Sequence, residues 1–166
     1  MTQNQVEDVP ARAKARFLGT CSVFRRLETD ELNLLADLAE TVVVPAGTVL
    51  AQRATRSRYI YIVEDGLLRV DEADLSIPVE LATAGRGDAV GCSSLVEPFL
   101  YSANVTALGD SRVIRIHAGD LLDFLRRRPQ VGYDVMTAVA QQVRGRLDTL
   151  VAFLANQPEP PSAPQA

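Results

Sequence analysis

The chain has 166 residues, 47% of them hydrophobic and 23% charged, with a formal charge of −4; it is long enough to bury one core and too apolar for a disordered chain. The acidic balance disfavours a nucleic-acid partner, and two distant cysteines with a single histidine are too few ligands for a structural zinc or iron–sulfur centre. No apolar export segment and no apolar run able to span a bilayer occurs, so the expectation is a reduced, cytoplasmic protein with no membrane partner.

Residues 1–9 are polar and are expected to be disordered, ahead of a single domain over 10–156. Within "LETDELNLLADLAE", Thr29 is placed at a helix N-cap, with Asp30 and Glu31 in the first turn and Leu32, Leu35 and Leu38 on one face. From Thr41 to His117 the texture changes to short β-branched and aromatic segments punctuated by glycine. Strands are predicted over 41–44, 48–51, 59–63, 67–73, 75–83, 88–90, 101–108 and 111–117. About eight short strands at this spacing indicate a barrel or a two-sheet sandwich. Pro78 confines its own strand to an edge or a bulge, because proline donates no ladder hydrogen bond.

The segment "AGDLLDFLRRRP" reads as a short helix whose Arg126, Arg127 and Arg128 match its negative C-terminal end, with Pro129 at the first position of the next helix. That last helix, 129–155, carries Tyr133, Met136, Ala140, Val143, Leu147, Leu150 and Leu154 at alternating steps of three and four. Such an a/d seam asks for a partner helix. Val131, Val135, Val139 and Val151 supply a second apolar stripe suited to the chain's own strands, which leaves the seam to a second copy in a parallel homodimer. The tail over 157–166 is proline-rich and is expected to be disordered.

Four segments in order carry a family resemblance. "PAGTVL" (45–50), "YIYIVEDGLLRV" (59–70), "AGRGDAVG" (84–91) and the cassette "GCSSLVEPFLYSA" (91–103) together resemble the cyclic nucleotide-binding domain of catabolite-activator-type regulators. The resemblance implies a mainly β fold with flanking helices: an eight-stranded β-roll or jelly roll (a double-stranded β-helix), with N-terminal helices and a long C-terminal dimerisation helix. It implies that the ligand site is formed by Gly91, Cys92, Ser93, Ser94, Leu95, Tyr101, Ser102 and Ala103. In the family the cassette's glutamate grips the ribose hydroxyl and its arginine the cyclic phosphate; Cys92 and Tyr101 stand at those two places here. A thiol accepts hydrogen bonds weakly and a phenol cannot neutralise an anion. Losing one such arginine contact costs about 2–5 kcal/mol, so cyclic AMP or cyclic GMP held in the usual manner is not expected. The hollow is either repurposed for a nucleotide-like or other small ligand, with no cofactor assigned, or closed. The family's helix-turn-helix has no counterpart after residue 155, so no DNA binding by this chain is expected.

Other chemistry has little support. His117 is alone at a strand end, with neither metal-ligand company nor a nucleophile motif, so no catalytic and no metal residues are assigned. Two further readings stand beside the sensor: a ligand-free dimeric scaffold that recruits a protein partner, and a redox sensor built on Cys92, since a thiol at a helix start can have a lowered pKa.

Overall fold

The computed structural model describes residues 5–72 and 79–156. Its β-roll consists of two antiparallel sheets. One runs in the order β1 (Gln5–Glu7), β2 (Ala39–Val44), β9 (Ser111–His117), β4 (Tyr59–Asp65), β7 (Ala89–Val90). The other runs β3 (Val49–Ala51), β8 (Asn104–Ala107), β5 (Leu68–Glu72), β6 (Val79–Ala84). Helices α1 (Ala11–Leu18) and α2 (Thr29–Asp37) precede the roll, and α3 (Ala118–Arg126) and α4 (Pro129–Ala155) follow it. The mainly β fold with flanking helices and a long C-terminal helix is the one expected, and each predicted strand segment has its counterpart. Pro78 and the tail 157–166 lie outside the described residues.

Two cores explain why the strands read as nearly continuous apolar runs. Between the sheets, Val42, Val44, Tyr61, Val63 and Val113 meet Leu68, Val70, Val105 and Ala107. On the other face of the larger sheet, Ile60, Ile62, Ile114 and Ile116 pack against Leu18, Phe24, Leu35, Leu121, Val131 and Val135 of the helical layer. A strand buried on both faces cannot alternate apolar with polar residues, and "YIYIV" shows the result.

Two expectations are corrected below, the cap of α2 and the place of Val151. Residues 5–7 form β1, which pairs with β2 in the register Gln5↔Val43 to Glu7↔Thr41, and Glu7 meets Arg112 at 3.0 Å. The ladder satisfies backbone groups that β2 would otherwise present at a bare edge. Glu28, not Thr29, caps α2; it shares a reciprocal capping box with Glu31, whose Oε2 accepts from the Glu28 backbone N–H at 2.8 Å. Val151 does not join the buried valine stripe but is 56% exposed. A glycine is obligatory at the β4–β5 turn: Gly66 has φ +90°, and a Cβ there would sit 2.3 Å from Ser111 Oγ.

Candidate ligand cassette

The cassette leaves the larger sheet at β7, which pairs with β4 through Tyr61↔Val90. Gly91 turns the chain with φ +79°, a single 3₁₀ turn covers Cys92–Leu95, and the path returns through Tyr101 into β8. Glycine is required at 91 for two reasons. Its φ is left-handed, and a Cβ would come 2.9 Å from the Tyr59 carbonyl oxygen and 3.3 Å from the Tyr101 ring.

Tyr101 is the centre of the arrangement. Its ring is buried, and its hydroxyl donates to the Tyr59 carbonyl at 3.0 Å while accepting from the Tyr59 and Arg58 backbone N–H groups at 3.1 and 3.3 Å. The phenol thus ties the cassette's return limb to the first residue of β4. Ser93 Oγ accepts from the Ser102 N–H at 3.3 Å and bridges the turn to the same limb.

Six of the eight expected site residues, Gly91, Cys92, Ser93, Tyr101, Ser102 and Ala103, line one cavity together with Val70, Val105 and Arg146. Its volume is about 10 Å³. That is close to the least space that holds a single water, whereas small-molecule pockets measure about 300–1,000 Å³. Ser94 and Leu95 are not part of this lining. Leu95 points into the helical core, and the Ser94 hydroxyl is fully buried without a hydrogen-bond partner.

Helix α4 closes the cassette from outside. The Gln142 side-chain amide donates to the Ala89 carbonyl, and its Oε1 lies 3.5 Å from Cys92 Sγ. One turn on, Arg146 reaches the hollow itself. Neither residue was among those expected at the site. Their i, i+4 spacing was the available signal, hidden beneath the apolar pattern of the same helix.

Burial pushes the Cys92 thiol up to about 11, against a smaller downward pull from the Arg146 guanidinium, and burial pushes Cys21 up to about 12. Both cysteines are free and buried. A thiol that stays protonated is a poor nucleophile. Alkylation at about pH 8 is therefore expected to label neither cysteine in the folded chain and both after denaturation. Because the native pKa values are raised, the thiols' contribution to stability is complete below about pH 9, where the unfolded thiols ionise, and is lost as pH rises through about 11 to 12. Urea midpoints across that alkaline range check this. Prompt labelling of Cys92 in the folded state would reinstate a thiol switch.

His117 lies at the end of β9, edge-on to Tyr59 with ring centroids 5.6 Å apart and its Nδ1 3.7 Å from Asp120 Oδ2. Among the described residues no group of three or more His, Cys, Asp or Glu is arranged to hold a metal ion, and no helix is long and apolar enough to cross a membrane. Along α4, Val131, Val135 and Val139 are buried against the helical core. Of the expected dimer seam, Tyr133, Val143, Leu147 and Leu154 are 54–68% exposed, Ala140 is exposed, Leu150 is half-buried, and Met136 packs against the core.

The sequence matches the family model described as "Cyclic nucleotide-binding domain" over residues 41–128. It is 24% identical over 123 residues to the "Cyclic AMP receptor protein" of Thermus thermophilus, covering 74% of this chain and 57% of that relative, so the chain spans little more than half the relative's length. Among solved structures, a putative cyclic nucleotide-binding protein from Geobacter metallireducens superposes with a TM-score of 0.71 at 21% identity, covering 81% of this chain and 98% of the other. A cyclic nucleotide-binding domain from Methylobacillus flagellatus gives 0.73 at 16% identity, with 91% and 86% covered. At such identities the structural likeness establishes the fold.

Proposed function

The chain belongs to the cyclic nucleotide-binding domain family, and we propose on that premise that it is a regulatory module whose cassette is closed to cyclic AMP and cyclic GMP in the family's manner. The observation that carries this reading is Tyr101, whose buried ring and triply bonded hydroxyl occupy the return limb where the family resemblance puts a phosphate-binding arginine. Cys92 supports it from the other side. A buried, protonated thiol facing Gln142 offers nothing to a ribose hydroxyl.

Regulation by this chain would then be expressed through assembly, with α4 as the contact. Val131, Val135 and Val139 are used internally while Tyr133, Ala140, Val143, Leu147 and Leu154 of the seam are left in solvent, which is the division expected of a helix that pairs with a second copy. The partner that reads such a dimer is a protein, given the chain's net charge of −4.

Thermal unfolding with cyclic AMP, cyclic GMP, AMP and cyclic dinucleotides tests the closed cassette. A ligand at a hundredfold its dissociation constant adds about 2.7 kcal/mol, roughly 5–10 °C for a domain of this size. No such shift is expected from the cyclic mononucleotides at millimolar concentration. A saturable rise of several degrees with cyclic AMP would overturn the reading.

A further inference from the structure

The cleft between α1 and α2, about 310 Å³ in volume, shares no lining residue with the cassette. Two pairs of side chains line it, each pair one helical turn apart: Arg12 and Arg16 on α1, Thr29 and Asn33 on α2. A spacing of four sets both members of a pair on one helix face, so two guanidinium groups share the cleft with a hydroxyl and an amide. Ala15, buried, and Leu32, half-buried, add the apolar part of the lining. Among the described residues none of the four polar side chains makes an ion pair or a hydrogen bond. Lys14, the remaining cation of α1, is engaged, its Nζ donating to the Ala39 carbonyl.

Charge sets this cleft apart. No acidic residue lines it; Asp30 and Glu31 of α2 lie outside the lining, and Glu31 is committed to the capping box with Glu28. The clefts along α3 differ, since Arg127 and Arg128 share one with Asp120 and Asp123, and Arg115 shares the other with Glu40 and Asp120. Like charges one turn apart destabilise a helix, and α1 has only eight residues and no carboxylate of its own to relieve Arg12 and Arg16. The close approach of the two helices is a second, separate sign. An added Cβ at Gly19, the C-cap of α1, would come 2.9 Å from Leu32 Cδ1, so glycine here lets α2 bring Leu32 into the cleft.

We propose that the cleft between α1 and α2 binds a small phosphate monoester, whose oxygens pair with Arg12 and Arg16 and accept from the Thr29 hydroxyl and the Asn33 amide. Two guanidinium groups match a group that carries about −1.5 to −2 charges near pH 7, and the planar fork of each suits phosphate oxygens. A dianion held between them also removes the repulsion along α1. Ala15 and Leu32 suit a short carbon body, and a volume near the about 300 Å³ at which small-molecule pockets begin fits a compact guest. The site stands independently of the closed-cassette reading, because the two have no residue in common.

The test uses the full chain at constant ionic strength, with glycerol 3-phosphate as probe, glycerol as its neutral counterpart and acetate as a monoanion, read by calorimetric titration and thermal unfolding. Glycerol 3-phosphate is expected to bind saturably at or below millimolar concentration and to raise the Tm, with glycerol silent and acetate at least tenfold weaker. Arg12→Gln and Arg16→Gln should each weaken the probe at least tenfold, and Thr29→Val severalfold. Arg25→Gln, an exposed arginine between the two helices but outside the cleft, should leave binding unchanged. All four positions are exposed, so the variants are expected to fold, and their Tm without ligand checks this. Absence of a saturable response in the unsubstituted chain, undiminished binding in the folded Arg12→Gln and Arg16→Gln proteins, or an equal response to glycerol or acetate overturns the proposal.

Discussion

Tyr101→Ala is expected to destabilise the fold by about 3–5 kcal/mol, the usual cost of truncating a buried aromatic side chain, and to lower the Tm by roughly 10 °C. Two losses combine. The ring beneath Gly91 vacates a space that the cassette cannot collapse into, because Tyr59 is held by its pairing with His117 of β9 and Gly91 directly follows Val90, which is paired with Tyr61. The hydroxyl also leaves the backbone N–H groups of Arg58 and Tyr59 without their acceptor and the Tyr59 carbonyl without its donor. Tyr101→Phe separates the two. It keeps the ring and removes only the polar partner, for about 1–3 kcal/mol. Chemical denaturation of the pair reads both increments, and a Tyr101→Ala protein within about 1 kcal/mol of the parent, well below the cavity cost, would mean that the ring does not fill the hollow.

Leu147→Asp is expected to convert a dimer into a monomer while leaving the folded protomer intact. In one protomer Leu147 is 56% exposed and touches no core, so the change costs the isolated fold almost nothing. In a parallel pair it sits on the seam with Val143 and Leu154, and the two-fold axis brings both copies together. Two leucines lose about 1.5–3 kcal/mol each, and two carboxylates are forced against each other. The association constant therefore falls by at least about a hundredfold. Sedimentation across a concentration series measures it, with Asp148→Asn, one residue off the seam, as the unaffected comparison. A monomeric parent protein at high micromolar concentration, or a dimer indifferent to Leu147→Asp, removes α4 as the assembly surface.

The two expectations draw on different depths of information. The seam was legible because a helix repeats every 3.6 residues, so Tyr133 to Leu154 could be placed on one face, and Val131, Val135 and Val139 on another, with no knowledge of what surrounds them. The same periodicity misled at Val151. The pattern continues, but Val151 is exposed where Val131, Val135 and Val139 are buried in the helical core. Residue-type preference points to Thr29, but Glu28 is the cap, made effective by the reciprocal bond from Glu31. Residues 5–7 carry no pattern of their own, and only the open edge of β2 turns them into a strand.

The local elements and their order can be read along the chain alone: the strands from Thr41 to His117, the glycine turns, the short and long helices, and Cys92 and Tyr101 at the two places where the family resemblance implies an acid and a base. These follow from side-chain periodicity and backbone preference, which act over a few residues. What the cassette encloses depends on long-range packing instead. The hydroxyl of Tyr101 meets Tyr59 across 42 positions, Gln142 reaches Ala89 across 53, and Cys92 faces Gln142 across 50. Contacts so distant along the chain are set when the two sheets and α4 pack. That packing reduces the hollow to about 10 Å³, keeps the Cys92 thiol protonated, and brings Arg146 into its lining.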